Sequence, residues 1–421
     1  MISGRNLYEV AKAMAPLYTA MALGYISVKY LRAFTPDQCR GINHFVAFYA
    51  LPFLIFRMVA LNNPYAMSVR LFAADTLQKI ILLTVLFGWT YLANKRQKKK
   101  PPSACSSSHI QWVVTIFSLA TLPNTVVMGV SLLGGMYGSM SAGPIVQIMV
   151  LQLCIWYNLV IFLYEYAAAN RAVLAESHQV LPELVTENVG TTEVEMQEKE
   201  NSTEATQPQH EVCLTIIEAS EVDASDQSET SEIPKTGVTI ITEKVPDQHV
   251  LEEPPEPTVA VKVVMIKAMK KLLKIPNTHA VFLGLLWSLM AFKVGIKLPE
   301  IVVDSLNIVA TTAVGLSMFT AGAFLARQTQ LIPCGYLKAI LSILVRFIIG
   351  PLLMALTSFA VGLRGTLLHI AIVQAALPLA VASFVYAEEY KVHADIMSIG
   401  IVIGNFVSLP VTIIYYILTG L

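Results

Sequence analysis

Residues 111–133 read QWVVTIFSLATLPNTVVMGVSLL, an apolar run of membrane-spanning length with Pro123 near its centre. Residues 366–387, TLLHIAIVQAALPLAVASFVYA, repeat this pattern around Pro378. About 20 mostly apolar residues cross a bilayer as one helix, and an interior proline interrupts the hydrogen-bond ladder of such a helix. The two stretches therefore predict two spanning helices that are broken inside the membrane. Two ordinary proline kinks are the alternative interpretation.

Eight further apolar runs of similar length surround these two stretches. The ten runs form two sets of five, and the broken run is the fourth of each set. An odd number of spans in each set makes the two halves insert with opposite topology, as in inverted-repeat transporters. The sequence thus predicts an all-α integral membrane protein with ten transmembrane helices, arranged as two inverted five-helix repeats in which helices 4 and 9 are broken and cross. The runs lie at 7–29, 39–60, 70–93, 111–133, 143–167, 277–297, 301–326, 335–361, 366–387 and 394–419.

Charge is scarce and unevenly placed in this chain. Only 14% of the 421 residues are charged and the net charge is zero, so no global field favours a nucleic-acid partner. Twenty of the 29 acidic residues lie between residues 171 and 258, a stretch too polar to fold around a core. The predicted division is a first repeat at 1–168, a disordered acidic loop at 169–258, a basic amphipathic segment at 259–275 and a second repeat at 276–421.

Lysine and arginine set the predicted orientation. The third connection carries a basic cluster from Lys95 to Lys100, which places it in the cytosol. The lysine-rich segment before span six lies two spans later and is cytoplasmic too, where it can rest on an anionic membrane face. The acidic loop is therefore predicted to be cytoplasmic, and both termini to be non-cytoplasmic.

The broken spans suggest where a ligand binds. A half-helix that starts inside the membrane presents free N–H groups and a partial positive charge at its N-terminus, which suits a carboxylate. Asn124 directly follows Pro123 and can donate its amide to the same oxygen. An asparagine that merely caps the broken helix is the alternative.

Other polar residues in the apolar runs need partners. Asp75 and Lys79 are four residues apart on span three and share one helix face, so they predict a buried ion pair. The pair is either a support site coupled to ligand binding or a static structural contact. Gln147 on span five either lines the site or makes an interhelical hydrogen bond. Arg346, in the middle of span eight, receives no predicted role.

Several long stretches, in the same order along both hydrophobic halves, resemble the PIN-FORMED auxin efflux carriers of plants. The acidic loop contributes nothing to this resemblance. The matching stretches are NNPY (62–65), ADTLQK (74–79), FSLATLPNT (117–125), VQ (146–147), FLYEY (162–166), AVGLRG (360–365), IVQAALP (372–378) and YYILTGL (415–421).

The resemblance implies a homodimer of subunits with a scaffold part and a mobile transport part. It implies an indole-3-acetate-type substrate carried by elevator-like movement, with Asp75 and Lys79 as the support site. The substrate-binding residues that it implies are Asn124, Pro123, Gln147, Ile55, Pro378, Leu379, Val381 and Ala382.

The second break departs from the family pattern. The family has Pro-Gln-Gly, two apolar residues and a second proline where this chain has Pro378-Leu379-Ala380-Val381-Ala382-Ser383. The loss of a glutamine and a proline predicts a site that is more apolar and less rigid.

Long-loop relatives reside in the plasma membrane and short-loop ones in the endoplasmic reticulum. The acidic loop of this chain is intermediate in length, and the core matches the long-loop pattern, which favours the plasma membrane.

The function predicted from these features is efflux of an aromatic carboxylate anion such as indole-3-acetate. One alternative is a sodium- or proton-coupled organic-acid symporter, and another is a membrane receptor or scaffold that works through the acidic loop. The sequence has no HExxH or GxSxG motif and no Cys/His cluster, so we expect neither an enzyme nor a cofactor or metal.

Overall fold

A computed structural model describes residues 4–97, 105–186, 257–328, 330 and 332–420. Within these ranges every named element is a helix, and one isolated β-bridge is the exception. The predicted all-α class is therefore confirmed. The sixteen α-helices are α1 (Gly4–Lys29), α2 (Pro36–Phe45), α3 (Leu51–Ala60), α4 (Val69–Gln97), α5 (Cys105–Thr121), α6 (Val130–Tyr137), α7 (Ala142–Leu151), α8 (Tyr157–Thr186), α9 (Pro257–Leu272), α10 (Pro276–Val294), α11 (Glu300–Arg327), α12 (Tyr336–Leu344), α13 (Gly350–Ala360), α14 (Thr366–Ala375), α15 (Val381–Glu389) and α16 (Ala394–Gly420).

Short wide turns of π-helix interrupt three of the long helical runs and begin a fourth helical segment. They are Val46–Ala50 between α2 and α3, Thr125–Gly129 before α6, Gln152–Trp156 between α7 and α8, and Val345–Ile349 between α12 and α13. Such insertions are rare in helices and often mark functional positions. Two 3₁₀ turns, Pro64–Ala66 and Gly138–Ser141, complete the elements.

The predicted acidic loop lies mostly outside the described residues, which stop at 186 and resume at 257. At its start the structure differs from the prediction, because α8 continues to Thr186, past the predicted boundary at 168. At its end, α9 covers most of the predicted basic segment. α9 and α10 meet at a bend of 76°.

Six described helical stretches are long and apolar enough to cross a membrane, or seven if the bent pair α9–α10 counts as one span. The first halves of both proline-containing runs form shorter apolar helices, because each ends at its break. The count of ten spans and the inverted relation of the halves stay predictions. The six stretches are Pro36–Ala60, Val69–Ala93, Thr125–Arg171, Glu300–Arg327, Tyr336–Ala360 and Ala394–Gly420.

Large apolar side chains are exposed on the outer faces of several helices. On α10 they include Leu283, Leu286 and Met290, and on α12 they include Leu337 and Ile340. A water-soluble protein of this size would bury such faces, whereas a lipid-facing surface requires them. This pattern and the long apolar helices make the chain a multi-pass membrane protein.

α1 and α11 pack with their backbones in contact. A Cβ atom added to Gly322 would lie 1.9 Å from the carbonyl oxygen of Met21, and one added to Gly24 would lie 2.0 Å from that of Phe319. Small residues allow this close approach of membrane helices. Here only glycine fits, since the obstacle is backbone and cannot move aside.

We expect Gly322→Ala to destabilise the protein by at least about 1–3 kcal/mol, because the methyl group overlaps the α1 backbone. Gly315 lies on the same helix, is exposed, and has no atom near a built Cβ. Gly315→Ala is therefore the matched control and should be neutral or stabilising by about 0.5–1 kcal/mol. Thermal melting in detergent measures both effects, and equal melting temperatures for the two variants would contradict the packing argument.

The two largest apolar clusters meet at the proline breaks. One cluster joins α4, α5, α8, α15 and α16 and contains Leu122 and Leu379. The other joins α1, α6, α11, α14 and α16 and contains Met128 and Leu377. Each break thus contributes residues to both clusters, and this packing fixes the relative position of the two interrupted segments.

Candidate substrate site

The two interrupted segments touch at their breaks. α5 ends at Thr121 and helix resumes at Thr125, while α14 ends at Ala375 and α15 begins at Val381. The Asn124 N–H donates to the Pro378 carbonyl at 2.9 Å, and the Ala380 N–H donates to the Leu122 carbonyl at 3.1 Å. These bonds form an antiparallel bridge between Pro123 and Leu379. Backbone groups freed by the breaks therefore satisfy one another, as a membrane interior demands. We call Leu122–Asn124 with Pro378–Ala380 the crossing.

Two helical N-termini start at the crossing. Asn124 caps the first one, because its side-chain oxygen accepts from the Val127 N–H at 3.4 Å. This leaves the side-chain nitrogen of Asn124 as the group that can donate to an anion. The second N-terminus, at Val381, has Ala380 as its N-cap and no side-chain cap. Its first N–H groups therefore keep the partial positive charge that a carboxylate would satisfy.

A cavity of about 320 Å³ lies against the crossing. Small-molecule sites have volumes of this order, with apolar walls and a few polar groups. Five of the predicted site residues line it: Ile55, Pro123, Asn124, Val381 and Ala382. The other polar side chains in its wall include those of Asn43, Thr125, Gln152, Tyr157, Asn277, Ser317, Thr320, Tyr386 and Asn405. The geometry provides a largely apolar cavity with two helix N-termini at one wall.

Three predicted site residues do not line this cavity. Leu379 is fully buried in an apolar cluster, since it lies in the bridge itself. The Pro378 carbonyl is taken by Asn124. The Gln147 side chain accepts from the Ser68 N–H at 3.0 Å and donates to the Ser68 carbonyl at 2.6 Å. For Gln147 the structure therefore favours the hydrogen-bonding interpretation over the site-lining one, although the partner, Ser68, lies just before α4 and not in a helix.

We expect Gln147→Leu to lower stability by about 1–3 kcal/mol, because it leaves the Ser68 peptide groups without their partner. The substrate concentration for half-maximal flux should stay within about twofold of wild type, since the side chain is away from the cavity. Gln152→Leu is the contrasting variant, because Gln152 lines the cavity. Thermal melting and transport assays measure the two effects, and a large affinity loss in Gln147→Leu alone would contradict this placement.

Asp75 and Lys79 form the predicted ion pair, and both are buried. The Trp156 ring N–H donates to the second carboxylate oxygen of Asp75 at 3.1 Å. The Lys79 ammonium also lies 5.4 Å from the centre of the Trp156 ring. A second cavity of about 10 Å³ joins this pair to Pro123 at the crossing. Only this small cavity therefore separates the pair from Pro123, which also lines the 320 Å³ cavity.

A chain of polar side chains spans the crossing, and sequence reasoning did not assign it. Gln374 Nε2 donates to Thr125 Oγ1 at 2.6 Å, and that hydroxyl donates to Gln152 Oε1 at 2.8 Å. Gln152 Nε2 then donates to the Pro123 carbonyl at 2.8 Å. The signal in the sequence is a glutamine inside each of two apolar runs, where an unsatisfied amide would be costly.

Arg346 lies in the Val345–Ile349 turn, is fully buried and does not line the cavity. Nε donates to the Leu377 carbonyl at 2.6 Å, Nη1 to the Leu119 carbonyl at 2.8 Å and Nη2 to the Ala375 carbonyl at 3.1 Å. These acceptors belong to the ends of the helical segments that precede the two breaks. The guanidinium therefore links the two half-helices that precede the breaks, α5 and α14, which we call the incoming half-helices. The segments that begin at Thr125 and Val381 are the outgoing half-helices.

The bend between α9 and α10 adds an unpredicted wall to the cavity. Lys274, Ile275, Pro276 and Asn277 line it there. Lys274 is exposed, so it brings a positive charge to the edge of the cavity. Sequence reasoning placed this lysine on the membrane surface only. Within the described ranges, no three His, Cys, Asp or Glu side chains cluster as metal ligands.

Comparison with known proteins identifies the family. A family model described as "Membrane transport protein" matches residues 9–416. The "Probable auxin efflux carrier component 9" of Oryza sativa subsp. japonica is 52% identical over all of both chains. The chain belongs to the PIN-FORMED auxin efflux carrier family. It is a membrane transport protein and not an enzyme.

Two further relatives cover the full length as well. "Auxin efflux carrier component 8" of Arabidopsis thaliana is 34% identical, and "Probable auxin efflux carrier component 1b" of Oryza sativa subsp. japonica is 31% identical, each over all of both chains. The family membership of this carrier therefore rests on the whole chain and not on one motif.

Proposed function

We propose that this carrier exports indole-3-acetate, an aromatic carboxylate anion, from the cytosol. The observation that supports this most directly is the cavity at the crossing, whose wall includes Asn124 and the start of α15. The carboxylate lies against the amide nitrogen of Asn124 and the N–H groups of the half-helices. The indole ring packs against apolar wall residues such as Ile55, Val381 and Ala382.

Export of an anion needs no obligatory partner ion. A membrane potential that is negative inside favours anion exit by about 2.3 kcal/mol per charge per 100 mV. Lys274 at the cavity edge attracts the anion to the site. The apolar parts of the wall disfavour hydrated inorganic anions, because apolar surface cannot replace their water shell.

The proposed architecture has ten spans in two inverted five-helix repeats, with a homodimer as the working assembly. Two broken segments that bond to each other reciprocally, Asn124 to Pro378 and Ala380 to Leu122, support the repeat arrangement. The crossing moves with its bound substrate in an elevator-like step. Chemical crosslinking in native membranes tests the dimer.

The proposed location is the plasma membrane, with the acidic loop in the cytosol and both termini outside; the endoplasmic reticulum membrane is the alternative. A fluorescent fusion imaged beside markers of both membranes distinguishes them. Protease accessibility of epitope tags at the two termini and in the loop tests the orientation.

Transport in proteoliposomes tests the function. Vesicles loaded with labelled indole-3-acetate should release it in a protein-dependent way, faster with an imposed potential that is negative inside. Empty vesicles and vesicles with Asn124→Asp protein serve as controls. Protein-free and protein-containing vesicles that leak label equally, while a known family member is active alongside, would contradict the proposal.

A cation-coupled organic-acid symporter is the second candidate, and the buried Asp75–Lys79 pair beside a small polar cavity favours it. It predicts flux that stops without a sodium or proton gradient. A receptor or scaffold that works through the acidic loop is a third possibility. It predicts that deleting residues 187–256 abolishes function, whereas a carrier retains flux.

A further inference from the structure

Three charged side chains are buried within the described residues: Asp75, Lys79 and Arg346. Asp75 and Lys79 neutralise each other as an ion pair. None of the ion pairs between described residues includes Arg346. The buried core therefore carries one positive charge that no carboxylate of the described residues compensates.

Backbone carbonyls surround this charge. Arg346 binds the carbonyls of Leu119 and Ala375, in the last turns of α5 and α14, and that of Leu377, just after the end of α14. The C-terminus of a helix carries about half a negative charge, from carbonyls with no partner within the helix. Two such ends amount to about one negative charge, which the guanidinium offsets.

The outgoing half-helices start a few residues away and carry the opposite partial charge. Their N-termini, at Thr125 and Val381, each contribute about half a positive charge. Without Arg346, the incoming C-terminal ends would cancel most of this field, because all four ends meet at one crossing. With Arg346, the positive field of the outgoing ends is left to act on the cavity.

We propose that Arg346 determines the charge preference of the substrate site without touching the substrate. It neutralises the carbonyls at the C-terminal ends of α5 and α14 and so leaves the N-terminal ends at Thr125 and Val381 with a net positive charge of about one. The site then prefers a monovalent carboxylate to a neutral molecule of the same shape. This inference rests on the proposed function, since it names what selects the anion.

A paired ligand test separates this role from a structural one. Indole-3-acetate and its neutral amide, indole-3-acetamide, differ in charge but hardly in shape. In Arg346→Gln the amide side chain still donates to a carbonyl, but the charge is gone. We expect the affinity for the anion to fall about tenfold or more, and that for the amide to change less than about threefold. Arg346→Lys keeps the charge and should keep the preference for the anion.

The surface residue Arg364 provides a matched control, because it is exposed and precedes α14 at the end of that helix away from the crossing. Arg364→Gln removes the same charge and should leave both affinities unchanged. Binding to purified protein is measured for both ligands, with thermal melting as the check on folding. Equal losses for anion and amide in folded Arg346→Gln would overturn the proposal, and so would an unchanged preference for the anion.

If Arg346→Gln does not fold, Arg346→Lys decides the question. A folded lysine variant that still prefers the anion supports the proposal, and one that binds both ligands alike overturns it. Wild-type protein that binds neither ligand would instead refute the proposed function. The two failures are therefore distinguishable.

Discussion

Asn124→Asp protein will keep its fold and lose anion transport. The introduced carboxylate would retain the oxygen that caps the segment at Thr125, and a negative charge at a helix N-terminus adds stability of about 0.3–1 kcal/mol. It replaces the donor nitrogen with a second acceptor, however, and places a like charge beside the substrate carboxylate. We expect flux of indole-3-acetate to fall at least about a hundredfold, while the melting temperature stays equal or rises.

Asn63→Asp is the matched control for this variant. Asn63 also caps a helical turn, because its side-chain oxygen accepts from the Tyr65 N–H at 3.0 Å, but it is exposed and away from the cavity. The same chemical change there should leave flux intact. Radiolabelled flux and thermal melting are measured on both proteins. Normal flux in Asn124→Asp would exclude the crossing as the carboxylate site.

Breaking the buried ion pair should have the largest effect on stability. Asp75→Asn leaves the Lys79 ammonium buried without its counter-ion, which costs roughly 3–5 kcal/mol. The double variant Asp75→Asn with Lys79→Met removes both charges and should recover most of the melting temperature. If the pair serves transport, flux remains low in the double variant although the fold is restored.

The exposed pair of Asp37 and Arg40 provides the control for these changes, since both side chains are about three-quarters in solvent. Asp37→Asn should change stability by less than about 1 kcal/mol. Flux that returns together with stability in the double variant would make the Asp75–Lys79 pair a static contact. Melting curves and transport rates on the same preparations distinguish the two results.

Local pattern was enough to predict the fold class and part of the site. Apolar runs of about 20 residues indicated the membrane helices. The asparagine after Pro123 indicated a helix N-terminus inside the membrane, capped by that asparagine. Ile55, Val381 and Ala382 line the cavity as expected from the family pattern. Val381 and Ala382 follow a break that is visible in the sequence, whereas Ile55 was expected from the resemblance alone.

The remainder depends on contacts between distant residues. Gln147 was expected either to line the site or to make an interhelical hydrogen bond, but its partner, Ser68, lies just before α4 and far away along the chain. Leu379 was assigned to the site, but its side chain is buried in an apolar cluster, because its backbone forms the antiparallel bridge with Pro123. Arg346 was left without a role, because its partners are carbonyls and backbone acceptors leave no mark in a sequence. Lys274 reaches the cavity only through the bend before α10.

The close backbone packing at Gly24 and Gly322 limits how the molecule can rearrange. Side chains normally separate the backbones of two packed helices and can change rotamer when the helices shift. At these two glycines no side chain separates the backbones. Sliding α1 along α11 would push a carbonyl oxygen into an α-carbon, so we expect the two helices to move as one rigid unit. Any displacement that carries substrate across the bilayer must therefore change the contacts between other helices and leave the packing of α1 against α11 intact.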